Sequence, residues 1–558
     1  MTKSHDGYFS ASLPDISAAT KYSLYVDGRG PFPDPASRYQ PEGVHGPSAI
    51  VDPASYQWSD QDWIGLALHD VVLYELHVGT FTPEGTYRAA TKKLTYLKDL
   101  GITAVELMPL ADFAGDRNWG YDGVAPFAPA RCYGTPDDLR ALVDEAHQLG
   151  LAVFLDVVYN HFGPDGAYQG VFSSHYFTKH HHTAWGDAIN FDSYLCEPVR
   201  HYVIENALRW IYEYHLDGLR LDATDTIKDD SPRHILAELN AAVLRASGEL
   251  GRRIHVIAED SVNRSLIVKP ESRGGLGFSG VWADDFHHQM RRTLAGDLDG
   301  YFASVDGSVA SIVKTIKRGW WRGTSDTTGI NYFQFVYCIQ NHDQIGNRAL
   351  GDRLHHALDW AVYRAASALL LLLPQTPLLF MGQEWAANTP FLYFTDHHDE
   401  LGRAVTEGRR KEFAGFTGFS QMQIPDPQAV ETFRASKLRW EEQTSEPHAY
   451  MLRMYKSLLC LRRNEHDYEL SAPKMQIDAL DEHTLLLRRL HQTAVIRLHG
   501  QGEIKLCDEL ALGDLLWSSE DAEFVPDSRP VHVDQVGRRI IFSRPGAIVF
   551  SPAGKERA

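Results

Sequence analysis

The chain has 558 residues, of which 44% are hydrophobic, and its formal net charge is −19. A single hydrophobic core rarely serves more than about 250–300 residues, so we expect two or three domains. With 54 basic against 73 acidic side chains, the composition argues against nucleic acid as a partner and favours a neutral one.

Cysteine usage and hydropathy bear on the compartment. The five cysteines have no paired spacing, which favours reduced thiols over a disulfide framework or a zinc site; they are Cys132, Cys196, Cys338, Cys460 and Cys507. The first residues lack the apolar run of a signal peptide. The most hydrophobic stretch, which starts at Ala366, is broken by Pro374 and Pro377 and is too short for a membrane span. We therefore predict a cytoplasmic protein with no membrane segment.

Residues 1–60 are rich in Pro, Gly, Ser and Asp, and they alternate turn formers with short strand-like pieces. This pattern predicts an N-terminal β segment that resembles a shortened β-sandwich.

Residues 61–465 alternate apolar strands with amphipathic helices such as 90–101, which ends at Gly101. Strands that are almost continuously apolar indicate parallel pairing with both faces covered, and eight of them favour a closed (β/α)8 TIM barrel over an open sheet. The eight predicted strands lie within 71–81, 102–110, 151–161, 219–224, 254–260, 280–286, 332–343 and 376–385. Residues 466–558 change to short strands with turn signals and predict a C-terminal β-sandwich domain.

Polar residues follow most of these strands. Arg220 and Asp222 are two residues apart, so on a strand they point to the same side. One explanation is a structural salt bridge. Other strand ends carry Asp156, Glu259 and Asp343, and the carboxyl ends of all barrel strands open on one face. So many convergent charges indicate an active site, in which Arg220 holds Asp222 ionised and oriented.

Three carboxylates without a phosphate or metal motif suggest hydrolysis at an acetal carbon, where one carboxylate attacks and another protonates the leaving oxygen. No metal and no cofactor is predicted. Four segments, "DVVYNH" (156–161), "GLRLDA" (218–223), "AED" (258–260) and "QNHD" (340–343), resemble in order the four motifs of the α-amylase superfamily, glycoside hydrolase family 13.

The resemblance implies catalytic roles for three carboxylates. Asp222 would be the nucleophile, Glu259 the general acid and base, and Asp343 the transition-state stabiliser of a retaining mechanism. Arg220, His161, His342 and Tyr121 match residues that orient the nucleophile or contact the sugar. We also expect substrate contacts from residues in other segments after strand ends, namely Trp119, Asp225, Asp285, His288, Gln344, Asn347 and Glu384.

Longer segments, among them "YELHVGTFTPEGTY", "NWGYDGVAPFAP", "GQEWAANTPFLYFTDH" and "IPDPQAVETFRASKLRW", resemble the maltooligosyltrehalose trehalohydrolases within that superfamily. This resemblance implies a substrate, maltooligosyltrehalose or a related α-1,4-glucan, and functional coupling to a maltooligosyltrehalose synthase. Two alternatives use the same fold: a 1,4-α-glucan branching enzyme, and a catalytically silent glucan-binding protein. The intact set of three carboxylates argues against the second.

Two departures from the family pattern are visible. Thr224 and Asp225 replace the usual valine and histidine after the nucleophile, and Asp225 is either a ligand for a hydroxyl in subsite +1 or a solvated loop carboxylate. The N-terminal segment matches only the last strands of the family's β-sandwich.

Two further groups of side chains could touch a ligand. The run His180, His181 and His182 suggests metal binding, but adjacent histidines in a loop point in different directions, so we predict a polar loop beside the cleft and no metal site. Aromatic side chains after strand ends could stack on glucose rings or belong to the core; they are Trp119, Trp185, Trp385 and Phe391.

Overall fold

The computed structural model describes residues 1–4, 9–298, 300–322, 326–414, 424–463, 475–506 and 512–552. Its centre is a closed barrel of eight parallel strands, in which each strand pairs with the next and the eighth with the first. We number them β1 to β8 in chain order: Leu73–Leu76, Ala104–Leu107, Ala152–Val157, Gly218–Leu221, His255–Glu259, Gly280–Trp282, Phe335–Cys338 and Thr376–Phe380. Each overlaps one predicted segment, so the predicted (β/α)8 barrel is confirmed.

Helices cover the barrel, because their apolar faces pack on strands whose side chains are buried on both sides. Thr135 caps one of them by accepting a hydrogen bond from the Asp138 N–H, and Gly101 ends another with φ 108°. Between β5 and β6 the chain makes only two short 3₁₀ turns, Ser265–Ile267 and Glu271–Arg273. The α-helices are Val78–Phe81, Tyr87–Thr91, Leu94–Leu100, Pro136–Gln148, Gln169–Phe172, Glu197–Tyr214, Ile235–Leu250, Asp285–Ala295, Val309–Arg318, His342–Gly346, Trp360–Leu372, Asp399–Ala414, Val430–Ala435 and His448–Arg463.

Two insertions follow the carboxyl ends of neighbouring strands. After β2, Ala111–Asp112 pairs with Ala125–Pro129. After β3, Phe177–Thr183 and Gly186–Ile189 form an antiparallel hairpin. Because they leave the barrel at its C-terminal face, both can contribute side chains to a cleft there.

The N-terminal segment forms antiparallel pairs of short strands: Thr2–Lys3 with Phe9–Ser10, Lys21–Tyr22 with Ser48–Ala49, and Leu24–Val26 with Arg29–Phe32. It contacts the barrel helix Glu197–Tyr214, where the Tyr202 hydroxyl donates to the Pro35 carbonyl at 2.6 Å. The domain limits at residues 60 and 465 stay predictions.

The C-terminal residues form two antiparallel sheets that share an apolar core containing Leu486, Val495, Ile504 and Ile540. This arrangement confirms the predicted C-terminal β domain. In spatial order, the first sheet contains Gln476–Ala479, Thr484–Arg488, Thr493–Arg497, Gly546–Pro552 and Leu512–Ser518, and the second contains Gly502–Lys505, Arg539–Phe542 and His532–Asp534.

Two composition-based expectations can be compared with the structure. Cys132, Cys196, Cys338 and Cys460 are free thiols, and Cys507 lies outside the described residues. Among the helices that are described, none has both the length and the apolar character needed to cross a bilayer.

Candidate active site

Arg220 lies at the centre of the charged face. It is on β4, directly beside Asp156 on β3 in the strand register, and its side chain is only 1% exposed. Its Nη1 donates to Asp156 Oδ2 at 2.6 Å and to Asp222 Oδ1 at 3.0 Å, and its Nη2 lies 2.7 Å from Glu259 Oε2. The Arg220 guanidinium also lies over the ring of Trp282, 4.2 Å from the ring centre. One buried cation therefore holds three carboxylates.

A tight turn after β4 brings Asp222 and Glu259 together. Ala223 has φ 39° and ψ 54°, a left-handed conformation that few non-glycine residues adopt. In this conformation its N–H donates to Glu259 Oε2 at 2.9 Å. Asn160 Nδ2 donates to Asp222 Oδ2 at 2.8 Å. Asp222 thus accepts hydrogen bonds on both oxygens, whereas both contacts of Glu259 are on Oε2.

The pKa values of both carboxyls are raised. For Asp222, burial raises the pKa, the charge of Arg220 opposes this, and the charge of Asp156 adds to it. For Glu259, burial raises the pKa, Arg220 again opposes, and the charge of Asp222 adds to it. Arg220 therefore does not lower the pKa of Asp222 below its usual value, although it favours the ionised form.

His342 belongs to a chain of hydrogen bonds that reaches the same centre. Glu75 on β1 contacts Nδ1 of His342, and Nε2 lies 2.7 Å from the hydroxyl of Tyr121, which donates to Asp156 Oδ2 at 2.6 Å. Burial alone would lower the pKa of His342, but the charge and hydrogen bond of Glu75 raise it to about 9. At neutral pH both ring nitrogens therefore carry protons.

Asp343 comes from the helix that follows β7. Asn341 caps this helix by accepting from the Gln344 N–H at 2.8 Å, and Asn347 Nδ2 donates to Asp343 Oδ1 at 2.5 Å. Burial raises the pKa of Asp343, the charge of His342 opposes this, and the charge of Glu259 adds to it. Asp343, the third predicted catalytic carboxylate, thus interacts electrostatically with the second, Glu259.

These side chains line one cleft of about 310 Å³ at the C-terminal face of the barrel. The exposed ring of Trp185, from the hairpin after β3, forms one wall and stacks on His161 with centroids 4.3 Å apart. The lining consists of Asn118, Trp119, Tyr121, Asp122, His161, Trp185, Arg220, Asp222, Ala223, Glu259, His342, Asp343 and Tyr393. All three predicted catalytic residues are therefore brought together.

Four other predicted contacts are used inside the protein. Asp285 Oδ2 accepts from Asn263 Nδ2 at 2.9 Å and from the Trp321 and Arg322 N–H groups. Glu384 is fully buried and accepts from the hydroxyls of Tyr74 and Tyr96. His288 lies 3.5 Å from Gln344 Nε2, and burial lowers its pKa to about 3. None of these four belongs to the described cleft lining, and their roles as substrate contacts stay predictions.

The two residues that depart from the family pattern connect neighbouring loops. Thr224 Oγ1 donates to the Glu259 carbonyl at 2.6 Å, and Asp225 Oδ2 accepts from Ser261 Oγ at 2.7 Å. Asp225 is partly exposed. The hydrogen bond from Ser261 engages one oxygen of Asp225. It is compatible with both roles considered for Asp225, a ligand for a hydroxyl in subsite +1 and a solvated loop carboxylate.

Sequence reasoning missed several residues at or below the site. Glu75 and Glu106 are charged residues within apolar strands, which is a signal that could have identified them. They face each other in the register of β1 and β2. Asp284 is a strand-end carboxylate that the sequence shows but to which no role was given; burial, together with the charges of Glu259 and Asp343, raises its pKa to about 8. Tyr393 lies in the cleft wall. Conversely, Trp385 and Phe391 are fully buried in the core.

Comparison with known proteins agrees with this geometry. A family model described as the α-amylase catalytic domain matches residues 50–190. A malto-oligosyltrehalose trehalohydrolase of Deinococcus radiodurans is 50% identical over 83% of this chain and 77% of that protein, and further relatives of the same description are 38–42% identical. The chain belongs to the maltooligosyltrehalose trehalohydrolase family. Members of this family are glycosidases of the α-amylase superfamily, so this chain is a glycoside hydrolase.

Two other matches extend the comparison. A crystal structure of a putative α-amylase from Salmonella typhimurium has a TM-score of 0.88 and 38% identity, covering 99% of this chain and 94% of that one. A 1,4-α-glucan branching enzyme of Corynebacterium jeikeium is 28% identical over 68% of this chain and 56% of that protein. The trehalohydrolase family is thus closer to this chain than that branching enzyme is.

Proposed function

We propose that the protein hydrolyses the α-1,4-glucosidic bond next to the terminal trehalose of maltooligosyltrehalose, releasing trehalose and a maltooligosaccharide. The observation that carries this proposal is the single guanidinium of Arg220, which bridges Asp222 and Glu259 in a member of the trehalohydrolase family. A shared cation favours the close spacing, about 5–5.5 Å, of a retaining pair of carboxylates.

In the first step, Asp222 attacks the anomeric carbon and Glu259 gives a proton to the leaving oxygen. Asp222 suits the nucleophile because donors on both of its oxygens favour the ionised form. Glu259 suits the acid because both of its contacts are on Oε2, so Oε1 can carry the proton. The glycosidic bond breaks, trehalose leaves with the proton of Glu259, and a glycosyl ester forms on Asp222.

In the second step, Glu259, now a carboxylate, takes a proton from water while that water attacks the same anomeric carbon. The ester bond to Asp222 breaks, so the carboxylate is restored and the maltooligosaccharide leaves with its original α configuration. Asp343 faces the positive charge that develops on the sugar ring, and His342, whose Nε2 is bonded to the Tyr121 hydroxyl, lies beside Asp343 in the cleft lining.

Other features of the cleft fit a glucan. Tyr121, Trp119, Trp185 and Tyr393 present aromatic surface in the lining, and apolar sugar faces pack on such rings. The substrate requires a reaction that converts the reducing end of a maltooligosaccharide into trehalose, so we propose coupling to a maltooligosyltrehalose synthase. Free thiols at the described cysteines fit a reducing cytoplasm.

The test is a product assay on maltotriosyltrehalose, which has no reducing end. Hydrolysis at the proposed bond should release trehalose and new reducing ends in equal amounts, and NMR early in the reaction should find the new anomeric centre in the α form. Maltopentaose, a chain of five glucose units without trehalose, serves as the matched substrate and should react more slowly.

Three results would contradict the proposal. Reducing ends without trehalose would indicate an ordinary glucan hydrolase. New α-1,6 branches in amylose without reducing ends would indicate the branching alternative, in which a sugar hydroxyl replaces water at the glycosyl ester. No reaction with either substrate would favour a silent glucan-binding protein.

A further inference from the structure

The hairpin after β3 contains an irregularity that changes where its histidines point. In its register, Thr178 pairs with Ala188 and His182 pairs with Asp187, so residues 179–181 bulge from the ladder. Consecutive side chains on a regular strand point to opposite faces, but a bulge redirects them. The rings of His180 and His181 consequently lie with their centroids 4.4 Å apart. The expectation that the three adjacent histidines diverge is therefore wrong for His180 and His181, whereas His182 pairs with Asp187.

A carboxylate from another part of the chain completes the group. Asp230 follows β4 and is 49 positions beyond His181 in the sequence, yet its Oδ2 lies 3.7 Å from His181 Nε2. One ring nitrogen from each histidine and one carboxylate oxygen of Asp230 all lie within 4.8 Å of one another. Ligands of one zinc ion are about 3–3.5 Å apart, so small rotations of the exposed His180 and Asp230 side chains would bring their atoms towards that spacing around the partly buried His181.

Asp192 holds this group in place. Its buried carboxylate accepts from His181 Nε2 at 2.7 Å and from the Asp230 N–H at 2.8 Å, both on Oδ2. Because His181 Nε2 faces both Asp192 and Asp230, Nε2 is the nitrogen that can bind an ion, in place of the proton that it shares with Asp192.

We propose that His180, His181 and Asp230 bind one divalent transition-metal ion, of which zinc fits best. Two imidazole nitrogens and one carboxylate oxygen suit zinc, whereas Mg²⁺ and Ca²⁺ prefer oxygen ligands. His180 and Asp230 are exposed, so water can fill the fourth position.

The ion would link the hairpin to the loop after β4. That hairpin also carries Trp185, which stacks on His161 in the cleft. A link at its base therefore steadies one wall of the substrate cleft, and the ion takes no part in the chemistry of the three carboxylates.

The test is calorimetric titration of Zn²⁺ into the full chain, produced without a histidine tag. We expect one ion per chain, and His180→Ala, His181→Ala and Asp230→Asn should each weaken binding at least about tenfold. His182→Ala is the matched control, because His182 lies next to the site but pairs with Asp187 at 3.2 Å; it should bind zinc as the unaltered chain does. Circular dichroism checks that each variant is folded.

A second readout is the melting temperature, which should rise with zinc in the unaltered chain and in His182→Ala, but less in the three site variants. Ca²⁺ should cause no such difference. The proposal is overturned if the chain binds no zinc at millimolar concentration, or if it binds zinc equally well after all three substitutions.

Discussion

The two ends of β4 carry similar residues that serve different purposes. His215 and Asp217 precede the strand, and Arg220 and Asp222 end it, each pair two residues apart. Asp217 accepts from the indole N–H of Trp63 at 2.7 Å, from His147 Nε2 at 2.9 Å and from the Val153 N–H at 2.8 Å. Asp217 therefore uses its hydrogen bonds within the protein, where its side chain is buried.

The same cluster extends to Asp60, which contacts both His147 and His215 at 2.8 Å. Although burial acts in the other direction, hydrogen bonds and charges from the two histidines hold the pKa of Asp60 below its usual value. For His147 burial acts to lower the pKa, but the charges and hydrogen bonds of Asp217 and Asp60 raise it above its usual value. At the N-terminal end of the barrel, the buried aspartates and histidines therefore neutralise one another and connect the N-terminal segment to a barrel helix and strand.

At the C-terminal end the carboxylates are paired too, but they border an open cleft. The side chains of Asp222 and Glu259 are 14% and 20% exposed, whereas that of Asp217 is 1% exposed. A buried ion pair therefore indicates function only where part of it remains accessible to a ligand, which agrees with the roles of the two faces of such barrels.

The largest effect is expected when the aspartate at each end of β4 is replaced by asparagine and the activity and stability of the two variants are compared. Asp222→Asn should lower kcat by at least about 1000-fold with little change in melting temperature, because it removes the proposed nucleophile and keeps the shape of the side chain. Asp217→Asn should leave kcat at moderate temperature within a few-fold. It should destabilise the fold by about 2–4 kcal/mol, since an amide nitrogen would face existing donors. Kinetics and thermal unfolding of both variants test this contrast.

The contrast also depends on pH. Because the pKa of His147 is raised on folding, its contribution to stability is complete below its unfolded value and is lost as pH rises through the folded value. The stability deficit of Asp217→Asn should therefore shrink at alkaline pH. If Asp217→Asn folded normally but lost turnover as completely as Asp222→Asn, the distinction between the two ends would fail.

A smaller effect is expected for Glu75, which holds the charge of His342. Glu75→Gln should lower the pKa of His342 from about 9 towards or below its usual value, so the ring loses a proton at neutral pH. We expect kcat/KM to fall about 10–100-fold at pH 8. The deficit should narrow as pH falls towards 5, where the ring is protonated again. A deficit that is independent of pH would show that Glu75 acts only by packing.

The smallest effect is expected for Glu106, the register partner of Glu75. Neither oxygen of its buried carboxyl has a hydrogen-bond partner in the described residues. Burial and the charges of Glu75 and Asp156 raise its pKa well above the usual value. The unaltered chain therefore loses stability as pH rises from about 4.3, the ordinary value for glutamate, towards the folded pKa.

Glu106→Gln should remove that loss. Its melting temperature should equal or exceed that of the unaltered chain at pH 8 and differ less at pH 4, with activity preserved. It is also the matched control for Glu75→Gln, because both substitutions replace a buried glutamate at the same level of the barrel. A stability loss at pH 8 would mean that Glu106 is ionised and paired.

The sequence by itself determined the barrel, the C-terminal β domain and the order of the four motif segments. Apolar runs of strand length separated by amphipathic helices report burial directly, since each strand buries both faces. The same rule placed Asp222, Glu259 and Asp343 at strand ends, which a closed parallel barrel must bring to one face.

Tertiary structure alone decided which polar residues meet. Glu384 and Asp285 follow strands as the proposed catalytic residues do. The hydroxyls of Tyr74 and Tyr96 donate to Glu384, however, and the backbone of the 319–322 loop donates to Asp285. Glu75 reaches His342 across 267 positions, and a bulge turns His180 and His181 towards Asp230. Sequence periodicity fixes the face of an element, whereas these contacts depend on loop paths and register between elements that are distant in the chain.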